Sequence, residues 1–247
     1  MDEGPTGALG PQSRIAVVTG ASSGIGRAIA VALADWCSDM HLLGRDLERL
    51  ELVAEEVRAR GAHPHIRAVD LSDDQGLQLT TEALSSALPG LDLLVHSAGV
   101  VTLGRIAWSP VSDLDHNYRL NLRAPWAITH ALLPLLEVAK GQLVFVNSGA
   151  GIFTRSEWGA YAATKHGLRA LADTLREEVR PLGIRVMSVF PGRTATPMQA
   201  HVCELEGRPY DPFEHIPAEV VGRLVSEAVR TPRSADVIEL NIRPGAQ

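Results

Sequence analysis

Along the chain, short apolar runs alternate with longer helical patterns, and this alternation predicts a parallel sheet covered by helices on both faces. The runs predict seven strands, at about Ile15–Thr19, Met40–Gly44, His65–Asp70, Leu91–His96, Gln142–Ser148, Ile184–Phe190 and Val237–Ile242. Helical stretches start near Gly24, Leu47, Asp73, Asp113, Gly159 and Pro217, with Asp46, Ser72 or Asp73, and Ser112 as caps. There are no internal repeats. The segment 193–216 is the irregular one, rich in Pro, His, Glu and Gly. Its place between the sixth strand and the last helix puts it over the carboxyl end of the sheet, where it is expected to act as a mobile lid. The fold expected is α/β, a doubly wound parallel sheet of seven strands in a single domain, 14–243.

Four features carry chemistry. The first strand runs into Thr19-Gly20-Ala21-Ser22-Ser23-Gly24-Ile25-Gly26, a GxxxGxG turn that opens a helix. Gly20 permits a tight turn, Gly24 lets backbone approach a pyrophosphate, and Gly26 lets the helix pack closely with its amino end toward the negative charge. Alone, such a turn is also an ordinary strand-to-helix loop. Further on, Tyr161 and Lys165 stand four apart in an Ala- and Leu-rich helix start, so phenol and ammonium share one face. A cation about 4 Å away at an effective dielectric of ~20 is worth about 4 kcal/mol, enough to bring a phenol from about 10 to about 7. That is where a general acid or base works best. Ser148 ends the fifth apolar run, at a strand's carboxyl end, where open α/β sheets bind ligands. No GxSxG elbow surrounds it, which argues against hydrolase chemistry. Asn121 falls in an apolar helical stretch and needs partners there, which a local kink binding a water near Lys165 would supply.

Taken together, these residues resemble the short-chain dehydrogenase/reductase family from about Arg14 to Arg243. The resemblance rests on Thr19-Gly20 with Gly24 and Gly26, on Asn121, on Ser148, Tyr161 and Lys165 in order, and on Pro191-Gly192 followed by Thr194 and Thr196. It implies a Rossmann-type fold and an NAD(P)-dependent oxidoreductase with a catalytic tetrad of Asn121, Ser148, Tyr161 and Lys165, Tyr161 being the acid/base. Implied cofactor contacts are Gly20, Ser22, Ser23, Gly24, Ile25 and Gly26 in the turn, the pair Asp70-Leu71 beside the adenine, and the shelf Ser97-Ala98-Gly99. Asn121, Tyr161, Lys165, Pro191, Gly192, Thr194 and Thr196 complete that set. The family commonly pairs the helices at Asp113 to Val138 and Tyr161 to Val179 between subunits, so a homodimer or homotetramer is expected. One departure is plain: His96-Ser97-Ala98-Gly99 stands where the family usually has Asn-Asn-Ala-Gly, so the asparagine that steadies that strand is a serine.

Cofactor identity turns on the end of the second strand. An NAD site usually places a carboxylate there for the ribose 2′-hydroxyl, and the matching position is Gly44. Arg45 follows, offering a planar fork of donors for a 2′-phosphate. NADP(H) is therefore preferred and NAD(H) less favoured, unless Asp46 turns back to the ribose instead of capping the next helix.

Composition narrows the partners. The 247 residues suit one domain, and 29 acidic against 23 basic residues give a formal charge of −6, which disfavours nucleic acid and anionic membranes. No apolar stretch is long enough to span a bilayer. Cys37 and Cys203, far apart and without metal-type spacing, read as reduced thiols of a cytoplasmic protein. Met1 to Ser13 reads as a disordered tail and not a signal peptide. His63 and His65 have a spacing that can bind metal, but no carboxylate or cysteine cluster accompanies them, so no metal site is expected. Trp108, Phe153, Trp158 and Met198 fall near the cleft as candidate apolar lining, and Arg155 and Arg193 as candidate ligands of a substrate carboxylate. The expected function is carbonyl–alcohol interconversion on a small-molecule substrate; the alternative is a nucleotide-binding regulator of the same fold that does not turn over.

Overall fold

The apolar runs become strands because both faces of the sheet are covered. In the computed structural model, which describes residues 13–245, the chain forms β1 (Ile15–Thr19), α1 (Gly24–Leu33), β2 (Asp39–Gly44), α2 (Leu47–Ala59), β3 (His63–Ala68), α3 (Asp74–Ala87), β4 (Leu93–His96), α4 (Val111–Tyr118), α5 (Ala124–Ala139) and β5 (Gln142–Val146). It continues through α6 (Gly159–Val179), β6 (Arg185–Pro191), β7 (Thr194–Ala195), α7 (Pro197–Leu205), β8 (Ile216–Pro217), α8 (Ala218–Val229) and β9 (Glu239–Ile242). Seven strands make one parallel sheet in the order β3-β2-β1-β4-β5-β6-β9. The order reverses between β1 and β4, and ligands of such Rossmann-type sheets bind beyond the carboxyl ends at that point.

Neighbouring residues on each strand face opposite layers. Val18, Leu42, Val95 and Val189 pack with Ile29, Leu33, Leu50, Val53, Val221 and Val225 from α1, α2 and α8. Val17, Leu43, Leu94 and Phe145 pack with Leu77, Ile128, Leu132, Leu168 and Leu175 from α3, α5 and α6. Each such side chain contributes roughly 1.5–3 kcal/mol when fully buried, and burial on both faces is why the runs are continuous and not alternating.

Hydrogen bonding corrects several boundaries. β3 begins at His63 and ends at Ala68, so Asp70 lies beyond it; as an edge strand it accommodates Pro64, which has no N–H to donate. β5 ends at Val146 and leaves Ser148 outside the strand. Asp46 and Asp73 cap α2 and α3, accepting from Arg49 N at 3.0 Å and Gly76 N at 2.7 Å. Ser112 does not cap: it lies inside α4, whose N-cap is Pro110. The apolar stretch 113–138 is two helices joined by a π-helical turn at Arg119–Arg123. Segment 193–216 is ordered as well, with β7 and β8 paired in parallel and Thr196 capping α7. The expected tail, save Ser13, lies outside the described residues.

The register also corrects the reading of His63 and His65. β2 and β3 pair Asp39 with His63 and His41 with His65, which brings a carboxylate against both imidazoles. The local sequence around the histidines does not show it, because the carboxylate comes from another strand.

Candidate active site

β1 delivers the chain into a turn, 20–23, that the fold makes obligatory for glycine. Gly20 has φ +66°, and a Cβ there would lie 2.7 Å from Ala98 N; a Cβ on Gly26 would lie 2.2 Å from Gly20 O. α1 starts with neither a side-chain cap bond nor an acidic residue in its first turn, so its positive end faces the space beyond β1. That space is a cleft of about 520 Å³ across the carboxyl ends of the strands, within the roughly 300–1,000 Å³ typical of ligand sites. Ser22, Ser23, Gly24, Ile25, Gly44, Arg45, Leu71, Ser97, Ala98, Gly99, Pro191, Gly192, Thr194 and Thr196 all line it. These residues fit a dinucleotide: the glycines let the turn and α1 pack closely on the sheet, and the uncapped amino end of α1 is left to face phosphates.

Two expected contacts do not line the cleft. Asp70 is held by Ser72, accepting from its N at 2.9 Å and its Oγ at 2.7 Å, and Val69 faces the cleft in its place. Asn121 is fully buried behind the wall. The end of β4, which lacks the family's asparagine, is held by Thr19, whose Oγ1 accepts from Ser97 N at 3.0 Å and Ala98 N at 3.1 Å. Beside it, His96 is buried against Phe145, with ring centroids 4.9 Å apart, and its Nε2 shares a hydrogen bond with Thr129 Oγ1 at 2.9 Å.

α6 presents Tyr161 and Lys165 one turn apart, and both are buried. Lys165 Nζ lies 5.8 Å from the centre of the Tyr161 ring and donates to Val146 O at 3.0 Å. Burial raises the Tyr161 pKa above its ordinary value, opposed by a hydrogen bond with Ser148, while burial brings Lys165 down to about 8. This corrects the expected fall of Tyr161 to about 7. The ammonium is turned to a backbone carbonyl, and the loss of water around the phenolate dominates. Ser148 opens a 3₁₀ turn at Gly149–Gly151, with its Oγ accepting from Ala150 N at 3.1 Å.

The kink expected at Asn121 is the π-helical turn, but its carboxamide serves other partners. Oδ1 accepts from Val100 N at 2.8 Å, and Nδ2 donates to Val100 O at 2.9 Å and Thr164 Oγ1 at 3.1 Å. Asn121 thus ties the loop after β4 to α6. Asn147, which the sequence reading missed, does the same from β5: Nδ2 donates to Lys165 O at 3.1 Å and Oδ1 accepts from Ser148 N at 2.9 Å. An amide at the end of a buried strand needs buried partners, and that was its available signal.

The far half of the cleft is apolar, lined by Phe153, Trp158, Met198, Val101, Leu120 and Val202. The Trp158 ring stands edge-on to Tyr161 with centroids 5.8 Å apart. Trp108 is not part of this wall and is exposed. Arg155 and the unanticipated Arg243 line the rim; Arg193 lines it too but is engaged by Glu206 at 2.6 Å.

Residues 14–206 match the family model described as short chain dehydrogenase. The chain is 32% identical over 239 residues to an uncharacterised short-chain type dehydrogenase/reductase of Sinorhizobium fredii, covering 94% of this chain and 92% of that one. Its fold is similar to that of an alcohol dehydrogenase from the archaeon Thermococcus sibiricus complexed with 5-hydroxy-NADP, with a TM-score of 0.85, 26% identity, and 96% and 98% of the two chains covered. An NAD⁺-bound xylitol dehydrogenase shares the fold at a TM-score of 0.84 and 21% identity, covering 96% of this chain and 100% of its own.

Proposed function

The chain belongs to the short-chain dehydrogenase/reductase family of oxidoreductases, and on that premise we propose that it interconverts a small carbonyl compound and its alcohol with NADP(H). The observation that carries this reading is the meeting of Ser148, Tyr161 and Lys165 on one wall of a cleft whose other end is a phosphate cradle. The nicotinamide, when bound, supplies hydride in reduction and accepts it in oxidation. Tyr161, a phenol whose pKa burial raises further above neutral, gives its proton to the oxygen that gains charge as a carbonyl is reduced, and Ser148 donates a second hydrogen bond to that oxygen. Lys165, charged below about pH 8, favours the phenolate that Tyr161 becomes. Asn121 is a positioning residue that holds α6 and the loop after β4 in register.

At the adenosine end, Gly44 lies against Ser22 and offers no carboxylate, Arg45 lines the cleft after it, and Asp46 is occupied at the cap of α2. A 2′-phosphate gains the guanidinium fork there and finds no carboxylate at position 44, which supports NADP(H) over NAD(H). The apolar wall favours a substrate with a hydrocarbon portion, and segment 193–216, whose Thr194, Thr196 and Met198 line the mouth, acts as its lid. Among the described residues no helix is long and apolar enough to cross a membrane. Burial pushes the Cys37 thiol up to about 12, so it stays protonated and unreactive, in keeping with a reducing cytoplasm. The test is a screen of aldehydes, ketones and hydroxy acids with NADPH and NADH, followed by absorbance of the reduced nicotinamide. Carbonyl-dependent oxidation of NADPH is expected. Tight NADPH binding without turnover of any carbonyl would overturn the proposal in favour of a regulator.

A further inference from the structure

At the amino ends of β2 and β3, away from the cleft, four polar side chains share one face of the sheet edge. Residues two apart on a strand point the same way, and the register sets Asp39 beside His63 and His41 beside His65. We propose that Asp39, His63 and His65 bind a divalent first-row transition-type cation, with Zn²⁺ as the representative ion.

Geometry carries the proposal. His65 Nε2 lies 3.0 Å from Asp39 Oδ1 and 3.1 Å from His63 Nδ1, and His63 Nδ1 lies 3.7 Å from Asp39 Oδ1. Zinc takes nitrogen and oxygen ligands at about 2.0–2.2 Å in a tetrahedron, whose ligands are therefore separated by roughly 3.3–3.6 Å. The three atoms form a triangle of about that size, equivalent to one face, which leaves a fourth position for water.

Hydrogen bonding alone does not satisfy this triangle. An ionised Asp39 oxygen only accepts, so His65 Nε2 must carry a proton toward it. His63 Nδ1 must then accept that same shared proton, or else carry one of its own that meets another N–H. A cation at the centre satisfies a lone pair from each of the three atoms. The donor set of two imidazoles and one carboxylate suits zinc and its neighbours in the series better than Ca²⁺ or Mg²⁺, which take oxygen ligands. His41 stacks on His65 at 4.5 Å and 10°, which fixes the plane of that ring. The side chains of His63, His65 and Asp39 are 71%, 40% and 38% exposed, so ions reach the site from solvent without a conformational change. The ion would join the edge strand β3 to β2 by their side chains as well as by their ladder.

The experiment is a Zn²⁺ titration of the full untagged chain by calorimetry, with melting temperatures measured alongside. One Zn²⁺ per chain is expected, with melting raised by roughly 5–10 °C at a hundredfold excess over Kd. Co²⁺ in place of Zn²⁺ should develop the visible absorption of a four-coordinate site. His63→Ala, at an exposed side chain, and Asp39→Asn, which keeps its shape, should each weaken binding at least ~10-fold, no less than disturbing an outer partner does. Absence of stoichiometric binding, or variants that bind Zn²⁺ as the wild type does, would overturn the assignment.

Discussion

At Tyr161, burial and the hydrogen bond with Ser148 act in opposite directions, and burial prevails. Spacing placed phenol and ammonium on one face of a helix, but it could not give the sign of the pKa shift, because the residues that bury the side chain come largely from remote segments. Val101, Val202 and Trp158 pack around it. The rate of carbonyl reduction should consequently stay level through neutral pH, where Tyr161 keeps its proton, and fall above about 8 as Lys165 loses the charge that stabilises the emerging phenolate. A kcat/KM profile for reduction checks this; a rate that climbs through pH 8 contradicts it. At Arg45 the prediction is sharper. Charge-assisted hydrogen bonds are worth about 1.5–3 kcal/mol, so Arg45→Ala should weaken NADPH by about 10-fold to 150-fold and leave NADH almost untouched. The ratio of kcat/KM for the two cofactors measures it, and an unchanged ratio would show that another residue reads the 2′ position. Gly44→Asp is a less clean probe, since its Cβ would lie 3.0 Å from Ser22 Oγ and that hydroxyl must move.

Single elements were legible where their signals were local. Asp46 and Asp73 bond backbone only three residues on, and the sequence located the first as a cap and the second as one of two candidates, with Ser72. Strand ends were less legible, because they depend on the neighbouring strand: β3 starts at His63 since its N–H finds Ser38 O at 2.7 Å. The π-helical turn was foreseeable as a kink from Asn121 in an apolar stretch, whereas the partners of its carboxamide depend on how β4 and α6 meet it. β4 carries the testable consequence of its unusual His96. Burial holds this imidazole down to about 3, from 6.5 in an open chain. Between those values the unfolded chain binds a proton that the native one does not, so stability is fully present above pH 6.5 and is lost as pH falls through this window. The contribution is about 1.4 kcal/mol per pH unit. His96→Asn should flatten the acid side of the stability curve in urea unfolding between pH 6 and roughly 4. His41, depressed by burial to about 4, keeps some of the slope. An unaltered slope would mean that His96 is protonated in the native chain.

The whole molecule was legible in order and class, since alternating apolar runs and helices leave few arrangements other than a doubly wound sheet. Contacts made by register were not, and the Asp39–His63–His65 cluster is the plainest case. Assembly is the remaining question at this scale. Val111, Leu114 and Tyr118 on α4, and Trp126 and Val138 on α5, are exposed apolar residues on the helices expected to meet a second subunit. Light scattering at micromolar concentration should therefore report a dimer or tetramer, and Trp126→Glu should shift it toward monomer; a monomeric wild type contradicts the expectation. The central claim is that Tyr161 moves the proton that accompanies hydride transfer. It is tested most directly by comparing wild type and Tyr161→Phe for NADPH binding and for turnover of a carbonyl found in the screen. Binding that is retained with turnover reduced at least ~100-fold is the predicted result, and a Tyr161→Phe enzyme working near the wild-type rate would contradict it.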